Sequence, residues 1–394
     1  MIRALLLSLR LHLSWWLRAL SPAGRRLAPL GPRRLAVLLL LYPLFLVLQA
    51  VHWCGFALDE LLFRGYRRVR IREPLFVSGI PRSGTTFVHR NLARDTAQFT
   101  TFRTWEALFA PSVSERRLIA ACAWLDRRLG APLQRLLAMA TRRLAGGLDH
   151  IHAVGLEAPE EDYLALLPAG GCFILMLAFP ADRSLWQLGR LDELPHKQRR
   201  ILLDFHTACL QKHLYVHGPE RRLLSKNAAF GSWLPALAER FPDARFLVCL
   251  RDPAAALRSQ MSAIHPGLKL FATLPASGHI QRRLQQNLDH TFRQLRTLNT
   301  RLAADRIAVI DQAGLRAQPT QVLAGALERL GVPLSPGLKQ MLAELGQAAN
   351  EHTSAHQYRA PASAADEAEF AARLVPLYRQ LVAQHAVGGL HEPS

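Results

Sequence analysis

One stretch, residues 74–86, constrains the fold of this chain more than any other. Residues 75–77 form a short apolar run before Gly79, which is typical of a buried strand. A tight turn follows up to Gly84, and the residues from Thr85 onward are predicted to form a helix. In such a unit the free backbone N–H groups and the positive end of the helix dipole point at one spot. The stretch therefore predicts a binding site for phosphate or a chemically similar anion.

The turn differs from the phosphate loop of nucleoside triphosphatases. Gly79 and Gly84 have the spacing of the G-x-x-x-x-G-K-[ST] pattern, but Thr85 stands where the lysine belongs. The nearest strong cation is Arg82, inside the turn. This arrangement favours a nucleotide with a short 5′ tail and no essential metal. The residues expected to bind this ligand are Arg82, Ser83, Gly84, Thr85 and Thr86.

Strands and helices alternate through the second half of the chain. Strands are predicted at 222–227, 245–250 and 306–311, and helices at 232–241, 254–264 and 319–330. This alternation implies an α/β fold with a P-loop-like parallel sheet, helices on both faces, and ligands at the carboxyl ends of the strands. Lys226 and Arg251 fall at such ends, as does the glycine turn, so we expect all three to share one site. Residues 105–220 are expected to form a largely helical insertion.

Residues 1–72 are predicted to form a basic and hydrophobic helical segment, followed by the main domain over 73–394. Residues 1–34 contain seven arginines and no acid, and residues 35–58 contain no charged side chain. That uncharged run is long enough to cross a bilayer. Three arrangements stay open: a spanning anchor, a helix lying in the membrane interface, and an apolar helix packed on the main domain.

The amino-acid composition argues against several classes of site and function. The five cysteines are scattered without a C-x-x-C pair, which argues against a zinc site and a disulfide framework. No metal is expected, and a cytoplasmic location is favoured for the main domain. The formal net charge of +19 comes from 44 dispersed arginines and only five lysines. We therefore expect attraction to a membrane surface or to a polyanionic nucleotide, and no nucleic-acid binding.

Two motifs resemble the nucleotide site of sulfotransferases that use 3′-phosphoadenosine-5′-phosphosulfate (PAPS). Pro81-Arg-Ser-Gly-Thr-Thr86 resembles their 5′-phosphosulfate loop. Leu224-Ser-Lys226, followed by Arg251 and, eight residues on, Ser259, is similar to the second half of the site in tyrosylprotein sulfotransferases and bacterial relatives. The resemblance covers about residues 73–335. It implies a PAPS-dependent sulfotransferase in which Arg251 and Ser259 hold the 3′-phosphate.

The same resemblance implies catalytic roles. Sulfuryl transfer is an in-line displacement in which positioning and charge stabilisation dominate, as in phosphoryl transfer. Arg82 and Lys226 are expected to stabilise the leaving phosphate. Glu106 lies at a distance beyond Arg82 comparable with that of the glutamate in tyrosylprotein sulfotransferases, and is the predicted base. Asn227-Ala228 departs from the acid or serine followed by proline that the family often has after the lysine.

The acceptor is expected to be a small molecule, a glycan or a lipid with a hydroxyl or amine group. Two alternatives stay open at this point. One is a nucleotide kinase or NTPase, which would bind ATP with magnesium. The other is a non-catalytic, membrane-associated nucleotide-binding protein. Residues 35–58 are the candidate membrane attachment of the cytoplasmic domain.

Overall fold

The computed structural model describes residues 1–132, 135, 136, 139, 155–349 and 364–385. At its centre is a sheet of five strands, β1 (Leu75–Gly79), β2 (Phe99–Thr100), β3 (Arg222–Asn227), β4 (Arg245–Leu250) and β5 (Ile307–Asp311). The strand order is β2-β3-β1-β4-β5, and every pairing is parallel. The predicted α/β fold class is confirmed.

Helices pack on both faces of this sheet, and further helices make up the amino-terminal part of the chain. They are α1 (Ile2–Leu20), α2 (Pro22–Leu27), α3 (Pro32–Leu62), α4 (Thr85–Leu92), α5 (Thr104–Phe109), α6 (Val113–Arg128), α7 (Arg183–Gln187), α8 (His196–His217), α9 (Leu234–Arg240), α10 (Pro253–Leu270), α11 (Ser277–Arg301), α12 (Gln312–Ala317), α13 (Pro319–Arg329), α14 (Pro336–Ala349) and α15 (Ala364–Ala383). Short 3₁₀ helices include Asp162–Ala169, Phe173–Leu177 and Ala228–Trp233.

The two faces of the sheet contribute to different hydrophobic clusters. In β4, Phe246 and Val248 pack into one cluster, whereas Leu247 and Cys249 pack into the other. Successive side chains of a strand point to opposite faces, and strands buried on both faces are apolar throughout. This is why the strands of the sequence show continuous apolar runs rather than alternation.

The register brings the functional residues to one edge. Lys226 of β3 pairs with Val77 of β1, and Gly79 at the end of β1 pairs with Cys249 of β4. Because all strands are parallel, their carboxyl ends meet at the edge where the glycine turn begins. The central position of β1 places this turn between the ends of β3 and β4.

Several element boundaries differ from the predictions. The two-residue edge strand β2 is not predicted, because two residues carry no periodicity. Helix α10 extends to Leu270, beyond the predicted end at 264, and contains Pro266 within it. The expected helical insertion over 105–220 includes several 3₁₀ segments. Part of it, residues 140–154, lies outside the described residues.

The amino-terminal helices pack on the main domain. Trp15, Leu38 and Phe56 belong to the same hydrophobic cluster as Phe246 of the central sheet. Helix α3 is long and apolar enough to cross a membrane. Of its most apolar 18-residue stretch, 28% is buried against the rest of the protein. The predicted domain boundary at residue 72 stays a prediction, although side chains on both sides of it form one core.

Candidate active site

The glycine turn after β1 has backbone geometry that few residues tolerate. Gly79 has a φ of +136°, and a Cβ atom there would lie 2.0 Å from the carbonyl oxygen of Cys249. Gly84, which caps α4, has a φ of +94°. Arg82 has a φ of +67°, a left-handed conformation that costs a non-glycine residue about 1–3 kcal/mol. Strain of this kind persists where the surroundings enforce it, and three contacts hold Arg82 in place.

These contacts link the turn to the ends of β4 and β5. The Nε atom of Arg82 donates a hydrogen bond to the hydroxyl of Ser259 on α10 at 3.0 Å. Its carbonyl oxygen accepts from Nη1 of Arg251 at 3.3 Å and from Nε2 of Gln312 at 3.2 Å. Arg82, Arg251 and Ser259, which the sequence predicts to share a site, therefore lie together. Two guanidinium groups and the amino end of α4 converge here, which makes the site strongly attractive to anions.

The other residues of the turn that are predicted to bind the ligand differ in their burial and in their hydrogen bonds. The Ser83 hydroxyl is buried and donates to the carbonyl oxygen of Ile80 at 2.6 Å, so it closes the turn. Thr85 is buried and Thr86 is exposed. Both are in the first turn of α4, where backbone N–H groups have no partner within the helix. Ser83 and Gly84 lead directly into that helix end.

A cavity of about 510 Å³ opens beside Arg251. Gln312, Arg316 and Tyr378 also line it, and the Tyr378 hydroxyl donates to Oδ1 of Asp311 at 2.5 Å. The cavity thus offers an aromatic ring and a second guanidinium next to the predicted phosphate site. Sequence reasoning missed Arg316 and Tyr378, since they belong to no motif and Tyr378 lies far along the chain on α15.

Lys226 forms an ion pair with Glu161, the residue that precedes the 3₁₀ helix Asp162–Ala169. The lysine side chain is 5% exposed and the glutamate side chain 17% exposed. Burial raises the pKa of Glu161 and outweighs the opposing effect of the lysine. Next to Lys226, the Nδ2 atom of Asn227 is buried without a hydrogen-bond partner among the described residues. This strand end therefore holds an unused donor, an ammonium group and a carboxylate.

Glu106, the predicted base, lies in a closed cluster. Its side chain is fully buried, it forms an ion pair with His217, and Nη1 of Arg116 lies 3.7 Å from its Oε1. Its Oε2 accepts from the backbone N–H of Arg103 at 2.9 Å, which closes the first turn of α5. Burial alone would raise the pKa of Glu106, but the Arg116 guanidinium and the His217 hydrogen bond hold it far below its usual range. The role of Glu106 in proton transfer stays a prediction, and these surroundings oppose it.

Glu106, His213 and His217 also have potential metal-ligand atoms within 4.8 Å of one another. The four-residue spacing of the two histidines is the sequence signal for this cluster, although no prediction above uses it. Nη1 of Arg116 lies 3.3 Å from Nδ1 of His213. The guanidinium thus supplies the cluster with a permanent positive charge, which repels a divalent cation. We assign the cluster no metal.

The comparisons with known proteins are decisive for the family. The model of the sulfotransferase family matches residues 74–336, two thirds of the sequence, including the glycine turn, Lys226, Arg251 and Ser259. The chain belongs to the sulfotransferase family. No curated protein matches the sequence. The matched range agrees closely with the extent of the resemblance seen in the motifs.

Two solved structures show that the fold of this sulfotransferase extends over nearly the whole chain. Sulfotransferase STF1 from Mycobacterium tuberculosis is 19% identical with a TM-score of 0.66, and the match covers 94% of this chain and 92% of that chain. Sulfotransferase STF9 from Mycobacterium avium is 19% identical with a TM-score of 0.60, covering 84% of this chain and 81% of that chain. At this identity the likeness concerns the fold alone. It confirms the fold expected from the family resemblance.

Proposed function

We propose that this sulfotransferase transfers the sulfuryl group of PAPS to a hydroxyl or amine group of an acceptor. The observation that carries the proposal is the contact of Arg82 with both Ser259 and Arg251, which joins the turn to the second nucleotide motif. PAPS has phosphate groups on both its 3′ and 5′ positions, and a ligand of that kind requires two anion sites on one surface. The missing loop lysine disfavours the kinase and NTPase alternatives.

The proposed binding mode follows from the charges at the sheet edge. Backbone N–H groups of residues 83–86 and the side chain of Arg82 would bind the 5′-phosphosulfate. Arg251 and Ser259 would bind the 3′-phosphate, and the cavity lined by Tyr378 and Arg316 would take the adenosine. Charge-assisted hydrogen bonds from arginine are the strong ones, so most of the affinity should come from these contacts.

The transfer itself needs little covalent work from the protein. An acceptor oxygen or nitrogen attacks sulfur in line, and the bond from sulfur to the bridging oxygen breaks with its electron pair staying on the phosphate. Arg82 and Lys226 are the cations available to stabilise this oxygen. In this role a lysine acts as a compact point charge, whereas arginine serves as a planar donor.

The acceptor side of the proposal is broader. We propose a small molecule, a glycan or a lipid as acceptor, and a cytoplasmic main domain that works at a membrane. Exposed leucines on α3 support the proposed location at a membrane, where a lipid acceptor would be accessible. The acceptor-binding segment is proposed to lie within residues 105–220, which include Glu161, the ion-pair partner of Lys226.

The experiment is a transfer assay with [³⁵S]PAPS and fractionated cell extract, with and without EDTA. We expect labelled product in an organic or glycan fraction in both conditions. A parallel melting curve with 3′-phosphoadenosine 5′-phosphate (PAP) should show stabilisation without magnesium. Stabilisation by ATP with magnesium but not by PAP would contradict the proposal.

A further inference from the structure

Large apolar side chains are exposed on one side of the amino-terminal helices. Of the 28 large hydrophobic residues that are exposed in the described part of the chain, 15 lie within residues 2–62. On α1 they include Leu6, Leu9 and Leu13, and on α3 they include Leu44 and Val47. A water-soluble surface rarely carries an apolar patch of this extent, so the face is expected to be covered. We call these exposed side chains of α1 and α3 the leucine face.

The leucine face points away from the main domain on both helices. Ser8 of α1 and Trp53 of α3 both donate to the carbonyl oxygen of Pro168, at 2.5 and 3.2 Å. His12 and Tyr42 join the two helices at 2.9 Å. The exposed leucines occupy the opposite sides of both helices, so they form one outer surface. The helices therefore form a layer whose inner side packs on the main domain through apolar contacts and hydrogen bonds, and whose outer side is apolar and exposed.

Contacts near both ends of α3 keep it lengthwise on the domain. Arg34 donates to the carbonyl oxygens of Phe271 and Ala178 at 2.9 and 2.6 Å. Near the other end, Asp59 pairs with Lys212 at 2.7 Å, and both side chains are fully buried. A helix spanning the bilayer would have to break this buried pair and leave charges unpaired, which costs about 3–5 kcal/mol. The contacts oppose a perpendicular anchor and favour a helix lying flat on the main domain.

Charge identifies the covering surface. The first 58 residues contain no acid, and six of their seven arginines, at positions 3, 10, 18, 25, 26 and 33, are exposed. Basic side chains beside an apolar helix face are attracted to anionic lipid headgroups. A second copy of the chain would place like charges against each other, which disfavours dimerisation through this face.

We propose that the leucine face docks in the plane of an anionic lipid bilayer, with α1 and α3 lying in the interface and the main domain outside it. This arrangement does not depend on the sulfuryl-transfer chemistry. It predicts a peripheral protein that alkaline carbonate releases from membranes.

The test is vesicle flotation of the full chain with phosphatidylglycerol–phosphatidylcholine vesicles and with phosphatidylcholine vesicles. We expect binding to the anionic vesicles at low salt and release at high salt. L9Q and L44Q should each reduce partitioning about tenfold, given the apolar area that each leucine would bury. L156Q, at an exposed leucine outside the face, is the matched control and should bind normally. The substituted side chains are exposed, so melting curves should confirm normal folding.

Three results would overturn the proposal. One is the absence of flotation with anionic vesicles. Another is resistance to carbonate extraction, which would show a spanning helix. The third is a concentration-dependent dimer that L9Q and L44Q dissociate while vesicle binding is unaffected.

A second inference concerns the proton acceptor, and it rests on the proposed function. Lys226 at the end of β3 is a cation expected next to the transferred group, and its ammonium contacts the Glu161 carboxylate. Glu161 is held there by its neighbour Asp162, which accepts from His206 at 3.1 Å and from Ser225 of β3 at 2.7 Å. The carboxylate is partly exposed, whereas that of Glu106 is fully buried.

We propose that Glu161 removes the proton of the acceptor during sulfuryl transfer. The acceptor O–H bond breaks and its proton goes to a Glu161 oxygen, while the acceptor oxygen forms the new bond to sulfur. The bond between sulfur and the bridging oxygen breaks, and its electron pair stays on the phosphate. Protonated Glu161 no longer holds the Lys226 ammonium electrostatically, so that charge becomes available to the leaving phosphate. Burial raises the pKa of Glu161, which suits a group that accepts a proton.

The test compares E161Q, E106Q and the adjacent control E160Q in the [³⁵S]PAPS assay, across pH, with PAP binding measured for each. We expect E161Q to bind PAP but to lose about 100-fold or more of the transfer rate and the acidic limb of the pH profile. E160Q should resemble the wild type. Because E161Q could lose binding, E161D is included and should retain PAP with a slower, pH-shifted transfer.

The outcomes separate the two proposals. Wild-type protein that transfers sulfate while E161Q retains its rate and pH profile overturns the role of Glu161 alone. An E161D variant identical to the wild type in rate and pH profile does the same. Wild-type protein that neither binds PAP nor transfers sulfate overturns the proposed function itself.

Discussion

The Nε atom of Arg82 donates a hydrogen bond of 3.0 Å to the hydroxyl oxygen of Ser259, 177 residues further along the chain. One residue belongs to the glycine turn after β1 and the other to α10 after β4. Because β1 and β4 are adjacent parallel strands, their following segments meet at the same edge of the sheet. This contact is the geometric reason for treating the two motifs as one nucleotide site.

Replacing Arg251 should weaken PAP binding without unfolding the protein. Arg251 contacts the turn through a hydrogen bond to the Arg82 carbonyl and borders the cavity. A charge-assisted contact contributes about 1.5–3 kcal/mol, so R251A should bind PAP about 10- to 150-fold more weakly by calorimetry. R240A, at an exposed arginine on α9, should bind as the wild type does. Equal affinity of R251A and wild type would contradict the assignment.

Gly79 should tolerate no side chain. A Cβ atom would lie 2.0 Å from the carbonyl oxygen of Cys249, and the φ of +136° is strained for other residues. G79A should therefore lower the free energy of unfolding by about 2 kcal/mol or more in urea titration. The control is G278A on α11, where a Cβ atom meets nothing within 4 Å. That variant should be neutral or slightly stabilising. Comparable stability of both variants would show that the turn relaxes easily.

Glu106 should contribute more to stability than to chemistry, and its contribution should depend on pH. The pKa of its folded form is lowered by Arg116 and His217, from an ordinary value of 4.5. A carboxyl whose folded pKa is depressed stabilises the protein above its unfolded pKa and loses that effect as the pH falls through the folded value.

The measurement is urea unfolding of wild type and E106Q at neutral pH and below pH ~4. At neutral pH, E106Q should be less stable by about 3–5 kcal/mol, because it leaves Arg116 buried without its carboxylate. The difference should shrink as the pH falls. A difference that is constant with pH would contradict the ion-pair account.

The buried Asp59–Lys212 pair should hold the amino-terminal helices on the main domain. K212M leaves Asp59 buried without its cation, so the free energy of unfolding should fall by about 3–5 kcal/mol. K197M, at an exposed lysine on the same helix, should unfold as the wild type does. Limited proteolysis should cut K212M within residues 1–62 before it cuts the control. If the protease cuts both variants at the same rate, the packing of α3 on the main domain does not depend on the Asp59–Lys212 pair.

Much of the fold could be predicted because parallel strands buried on both faces leave long apolar runs. Strands β3 and β4 were predictable to the residue, since turns and charged residues bound each run. The edge strand β2 could not be predicted, because two residues have no pattern of their own. The position of the amino-terminal helices on the main domain could not be predicted either. The contact of Arg34 with Phe271 joins residues 237 positions apart, and such contacts cannot be predicted from composition.

The site was only partly accessible to sequence reasoning. Arg82, Arg251 and Ser259 were predictable because motif spacing and strand ends converge on them. Glu161 and Tyr378 were not, since each approaches the site through tertiary packing of a segment outside the motifs. The role of Glu106 as the base stays a prediction from its position along the chain. Its surroundings could not be predicted, because Arg116 and His217 reach it from α6 and α8 through tertiary packing.

The most direct measurement of the central claim is calorimetric titration of the wild-type protein, in EDTA, with PAP and with adenosine 5′-phosphate. The two ligands differ only in the 3′-phosphate that Arg251 and Ser259 are proposed to bind. We predict that PAP binds at least about tenfold more tightly, in line with one or more charge-assisted contacts. Equal affinities, or binding of PAP only when magnesium is added, would contradict a single metal-independent pocket for both phosphates.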